Sequence, residues 1–121
     1  MEFSGNPIEK KSFEFSLMII EKYKEMQAQK EFILSKQLLR SGTSIGANVQ
    51  EAQAAISKRD FAHKMSISSK EARETKYWLL LSQYGGLVEL DLESILEKNE
   101  ELIRMLTAIV KSSQKALSKH S

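Results

Sequence analysis

The stretch from Ser35 to Ser82, SKQLLRSGTSIGANVQEAQAAISKRDFAHKMSISSKEARETKYWLLLS, constrains this chain more than any other. On both sides of Ser57 it places apolar and small residues at three- and four-residue steps, the period of a helix packed along one face. Leu34, Leu38, Ser41, Ile45, Val49, Ala52 and Ile56 form one stripe, and Phe61, Met65, Ser68, Ala72 and Leu79 form the next. Sustained period-two alternation is absent, as are Asn-Gly and Asp-Gly hairpin turns, so helix is expected almost throughout.

Punctuation divides the chain into four. Pro7, the sole proline, suits a first helical position, with Asn6 as cap and Glu9 where a capping box places its acid. Phe13, Leu17, Ile20 and Tyr23 follow at helical steps, with Phe15, Ile19 and Met26 on an adjoining strip. Ser57 caps the third helix, with Asp60 three residues on, and Gly85-Gly86 stops it. Asp91 caps the fourth, and Leu90 and Ile95 are spaced as a hydrophobic staple. Its stripe is Ile95, Asn99, Leu102, Leu106, Ile109 and Ser113, with Leu96, Ile103, Val110 and Leu117 repeating beside it. The expected fold is all-α, an antiparallel up-down-up-down four-helix bundle with helices over roughly 7–29, 31–56, 58–84 and 91–118. One domain over residues 1–121 is expected.

The composition narrows the function classes. Without cysteine there are no disulfides or thiolate metal sites, which suits a reducing compartment. The polar N-terminal residues lack a signal-peptide apolar region. The longest apolar run, Tyr77 to Leu81, is far short of the roughly 18–20 residues of a membrane span. A cytoplasmic protein with no membrane partner is expected. The net charge of +2 and pI near 8.8 fall short of the usual nucleic-acid signature. An acidic stretch from Glu89 to Glu101 precedes Lys111, Lys115 and Lys119, an order that complements a helix dipole.

Catalytic readings find little support. A di-iron bundle needs Glu-x-x-His pairs, and neither His63 nor His120 has a glutamate three residues before it. Glu71 and Glu74 lie among Lys70, Arg73 and Lys76, a pattern of ion pairing. Phosphate-cradling loops and nucleophile elbows are absent. No enzyme activity, metal, cofactor or small-molecule substrate is expected, and His63 reads as a solvated residue. Phe61, Met65 and Met105 could line a pocket, but at helical spacing such residues are ordinarily core.

What remains is surplus surface. Opposite the core stripe of the third helix lie Arg59, His63, Lys70, Arg73, Glu74 and Tyr77. Ile67 and Trp78 occupy the flank that holds Glu71, with Leu81 near the polar centre. These apolar groups either cover a neighbouring helix or meet another subunit. The second helix sets Lys36, Arg40, Ser44, Ala47, Glu51 and Ala54 away from its core stripe. Gly42 and Gly46 cost it roughly 1 kcal/mol each, for which either a packing partner or crowding within the bundle would account. Candidate interface residues are therefore Ile67, Glu71, Glu74, Trp78, Leu81, Ser44, Ala47 and Glu51. Candidate phosphate contacts are Lys36, Arg40, Arg59, His63, Lys70 and Arg73. In the competing scaffold reading, Arg40, Glu51, Glu71, Arg73 and Glu74 pair with one another and are lost to phosphate.

Three runs in order, RSGTSIGANVQEA at 40–52, SKRDF at 57–61 and KEARETKYWLLL at 70–81, resemble the bacterial four helix bundle protein family. Its members are the intervening-sequence proteins of 23S ribosomal RNA, and it includes relatives of the accessory protein of diversity-generating retroelements. The resemblance implies an antiparallel four-helix bundle that forms a homopentamer. Through those relatives it also implies association with RNA or DNA.

Overall fold

Asn6 Oδ1 accepts the N–H of Ile8 at 3.2 Å and Pro7 opens the helix behind it, so the first cap forms as its residues dictate. The computed structural model describes residue 3 and residues 5–119. Its helices are α1 (Pro7–Ala28), α2 (Leu34–Gln53), α3 (Lys58–Tyr84) and α4 (Glu93–Ser118). Short connections make consecutive helices antiparallel neighbours: α1 packs on α2, α2 on α3 and α3 on α4, while α1 meets α4 far more sparsely. The result is an all-α up-down-up-down bundle around one core cluster.

Helix α1 ends in a Schellman motif. The N–H of Lys30 reaches Gln27 O at 2.9 Å, and the N–H of Glu31 reaches Met26 O at 3.0 Å. Lys30 accordingly takes a left-handed conformation, φ 63°, that glycine more often supplies. The Glu31 carboxylate then folds onto the start of α2. It accepts the backbone N–H groups of Ile33 and Leu34 at 2.9 Å and of Ser35 at 2.7 Å. A side chain so used cannot stand within the helix, which is why α2 begins at Leu34 instead of residue 31. Its other end falls at Gln53, short of residue 56, because capping of α3 takes over. Ser57 Oγ accepts the Asp60 N–H at 3.0 Å and Asp60 Oδ2 accepts the Ile56 N–H at 3.3 Å. Ile56, expected on the core stripe, is 95 % exposed as a result.

Helix α4 begins at Glu93, two residues after its expected start. Asp91 Oδ1 still accepts the Glu93 N–H at 3.2 Å, but Leu92 holds the cap position and is buried. The Leu90–Ile95 staple therefore falls out of register, although both residues pack at the core. The loop before α4 is tied to the α1–α2 connection by one side chain: Gln29 Nε2 donates to Glu89 O, and Gln29 Oε1 accepts the Glu89 N–H, both at 2.8 Å.

The two strips of α1 exchange roles. Ile8, Ser12, Phe15, Ile19 and Met26 are buried, whereas Phe13, Ile20 and Tyr23 are half-buried and Leu17 is 49 % exposed. The close approach of α2 sets this rotation. A Cβ on Gly42 would lie 2.6 Å from Ile19 Cγ1, and one on Gly46 3.3 Å from Ser12 O. Both glycines thus answer to crowding inside the bundle. Buried hydroxyls and an amide fix the other seams: Ser68 Oγ donates to Ile45 O at 2.8 Å, Thr75 Oγ1 to Ser41 Oγ at 3.0 Å, and Asn99 Nδ2 to Ala72 O at 3.1 Å.

Candidate functional site

The outer face shared by α2 and α3 gathers most of the residues expected at an interface. Arg40, four residues before Ser44, reaches across from α2: its Nη1 lies 3.3 Å from Glu71 Oε2 and its Nη2 pairs with Glu74. Glu74 also accepts the indole N–H of Trp78 at 3.1 Å. Further along α2, Glu51 Oε1 lies 3.4 Å from Lys64 Nζ. Ile67, Trp78 and Leu81 are each half-buried. Trp78 leans on the core cluster and meets Tyr77 edge-on, with ring centroids 5.2 Å apart. The protomer thus covers part of the apolar surplus of α3 by itself. Ala47 stands apart from this group, since with Gly46 and Gln50 it borders a shallow pocket against Glu9, Ser12, Phe13 and Ser16 of α1.

The six candidate phosphate contacts divide. Arg40 is committed to two carboxylates, and Lys36 is exposed elsewhere on α2. Arg59, His63, Lys70 and Arg73 are exposed on the outer face of α3, and Arg73 alone of them reaches α4. There Arg73 Nη2 donates to Thr107 Oγ1 at 3.0 Å. Thr107 is flanked on its own helix by Arg104 and Lys111, both exposed and neither of them among the six. Antiparallel packing sets the start of α3 beside the end of α4, where Lys58 and Phe61 share a pocket with Ser112, Ser113 and Ala116. Over this half of the pair, Lys58, Arg59, Lys64 and Lys70 of α3 join Arg104, Lys111 and Lys115 of α4, and the sole carboxylate within residues 58–70 and 102–118 is Asp60. The signal was present in the sequence as a basic end of α4. Only the pairing of the helices shows that it extends the basic edge of α3.

Elsewhere the surface offers little chemistry. Between α1 and α4 a cleft of about 100 Å³ is bordered by Lys11, Phe15, Met18, Glu101 and Leu102, well below the roughly 300 Å³ at which ligand sites begin. Lys11 Nζ sits 3.0 Å from Glu101 Oε2, and that hydrogen bond holds the Glu101 carboxyl below its usual range. Met65 is fully buried, and Phe61 and Met105 pack against the core. Among the described residues no three His, Cys, Asp or Glu side chains converge as for a metal ion, and no helix is long and apolar enough to cross a membrane. The arrangement suits non-covalent recognition along helix faces.

Known proteins agree with this architecture. No functionally curated protein matches the chain. A crystal structure of a protein with unknown function from the S23 ribosomal protein family of Bacteroides thetaiotaomicron VPI-5482 is 45 % identical. The match covers 86 % of this chain and 98 % of that one, with a TM-score of 0.81. The family model for the 23S rRNA-intervening sequence protein matches residues 6–108. With that match across most of its length, the chain belongs to the 23S rRNA-intervening sequence protein family.

Proposed function

We propose that this chain is a non-enzymatic helical bundle that assembles with copies of itself in the cytoplasm, as the homopentamer that the family resemblance implies. The observation that carries this reading is the cluster of Arg40, Glu71, Glu74 and Trp78 on the outer α2–α3 face. Its single guanidinium meets two carboxylates, leaving a negative charge, and it adjoins the half-covered Ile67 and Leu81, a composition that suits a subunit contact better than a phosphate site. A ring needs two different patches that complement each other. The half-exposed strip of Phe13, Leu17 and Ile20 on α1 offers a second one. Light scattering tests this: the particle mass is expected at a multiple of 13.8 kDa. The paired substitutions Ile67→Asp and Leu81→Asp should reduce it to one protomer with helical content retained. A wild-type particle of 13.8 kDa at micromolar concentration would overturn the reading.

A second reading, association with RNA or DNA, draws on the exposed cations of α3. Arg59, His63 and Lys70 make no ion pair with a described residue. Ring symmetry would multiply a modest patch into useful avidity. Binding should weaken steeply as salt rises, and its absence at low salt would sink this reading.

A further inference from the structure

We propose that the groove edge between α3 and α4, around the Arg73–Thr107 contact, is a binding surface for the phosphodiester backbone of nucleic acid. The inference rests on the second reading above and gives it a location and a chemistry. Arg59, Lys70 and Arg73 fall at helical spacing on one edge of α3, spanning about 20 Å at 1.5 Å per residue. Arg104 and Lys111 lie on α4 one turn to either side of Thr107, so the hydrogen bond from Arg73 to Thr107 joins the two rows of charge. All five side chains are exposed, and none pairs with a described carboxylate.

The contrast with the rest of the surface makes the patch specific. Arg40, Lys64, Lys76 and Lys11 are each held by a carboxylate from a neighbouring helix. Of the acids nearby, Asp60 accepts the backbone N–H of Ile56 at the α3 cap, Glu71 and Glu74 pair with Arg40, and Glu100 and Glu101 pair with Lys76 and Lys11. Along the α3–α4 seam itself Lys76 is neutralised by Glu100, and beyond that pair Arg59, Lys70, Arg73, Arg104 and Lys111 are left unpaired. A row of unpaired guanidinium and ammonium groups fits the regular charge of a phosphate backbone, and its lack of buried base-reading groups makes the recognition independent of sequence. Arg73 turns toward α4, away from Trp78 and Ile67 on the flank that faces α2, while Arg59 and Lys70 lie at the polar centre between the two flanks.

Fluorescence anisotropy of a short labelled single-stranded RNA of mixed sequence, titrated with the intact protein at low and moderate salt, tests the proposal. The double variant Arg104→Glu, Lys111→Glu should weaken binding at least about tenfold and flatten the dependence of log K on log salt by about 0.7 for each phosphate that the surface no longer neutralises. Lys10→Glu, on α1, should bind as the wild type does. Circular dichroism and particle mass should be the same for all three proteins. Full affinity in the double variant overturns this location while leaving nucleic-acid association standing. No binding by the wild type at low salt overturns both. Equal binding of polyglutamate, lost in the same variant, overturns the assignment to nucleic acid in favour of an acidic protein partner.

Discussion

Glu31 holds Ser35 from two sides: its carboxylate accepts the Ser35 backbone N–H at 2.7 Å, and its own carbonyl accepts the Ser35 hydroxyl at 2.8 Å. With Ile33 and Leu34 also donating to it, one buried acid satisfies most of the free N–H groups at the start of α2. Burial alone would raise its pKa, yet the hydrogen bonds from Leu34, Ser35 and Ile33 together outweigh burial and lower it. Glu31→Gln should cost about 1–2 kcal/mol at neutral pH. The contribution of the carboxylate is fully present above its ordinary value of 4.5 and is lost as pH falls through the lower folded value. Urea unfolding from pH 7 to pH 3 should therefore show wild type and variant converging in acid; a constant difference would refute this account.

Gly42 has no room for a methyl group. Alanine there gains about 1 kcal/mol of helix propensity but must displace the buried Ile19. Overpacking costs typically 1–3 kcal/mol, so Gly42→Ala should be destabilising by up to about 2 kcal/mol where propensity alone predicts a gain. Adding Ile19→Val should recover part of that loss, a non-additivity that thermal melts of the two single variants and the double variant can measure.

Lys30 is the opposite case. Its left-handed conformation at the end of α1 suits glycine, and its side chain makes no hydrogen bond or ion pair with a described residue. Lys30→Gly should stabilise the protein by about 0.5–1 kcal/mol, seen as a melting temperature higher by a few degrees.

Gln29 joins two loops that are distant in sequence. Removing its carboxamide in Gln29→Ala breaks both hydrogen bonds to Glu89. The Glu89 amide should then exchange with solvent roughly tenfold faster, while amides in the middle of α2 and α3 are little changed.

How much of this was written in the residues varies by helix. The stripes of α2 and α3 could be read because a run of three- and four-residue steps marks the buried face even where α3 carries further apolar residues, and Asn6 and Ser57 cap as their types require. Helix α1 misled because two strips are apolar, and the choice between them is made by glycines on another helix, Gly42 and Gly46. The cap by Glu31 was hidden because sequence rules look for Ser, Thr, Asp or Asn beside the helix and not for a glutamate reaching forward. Of Arg40, Glu51, Glu71, Arg73 and Glu74, which the scaffold reading pairs with one another, Arg40, Glu71 and Glu74 do so, whereas Glu51 turns to Lys64 and Arg73 to Thr107. Lys111 escapes notice in the sequence because helix-dipole complementarity already accounts for a basic end of α4, and Arg104 because it follows Glu100 and Glu101 in mid-helix. That both flank Thr107, the partner of Arg73, becomes visible only when the helices are laid side by side.

The sparse meeting of α1 with α4 gives the molecule a preferred line of rupture. Three tight seams make a ribbon of helices, rolled until its two margins touch, and the fourth seam is little more than that touch. The solvent-accessible pair Lys11–Glu101 fastens those margins, and pairs of that kind add little. Under heat or denaturant the ribbon should unroll there first, baring Phe15 and Leu102 while α1 still clings to α2.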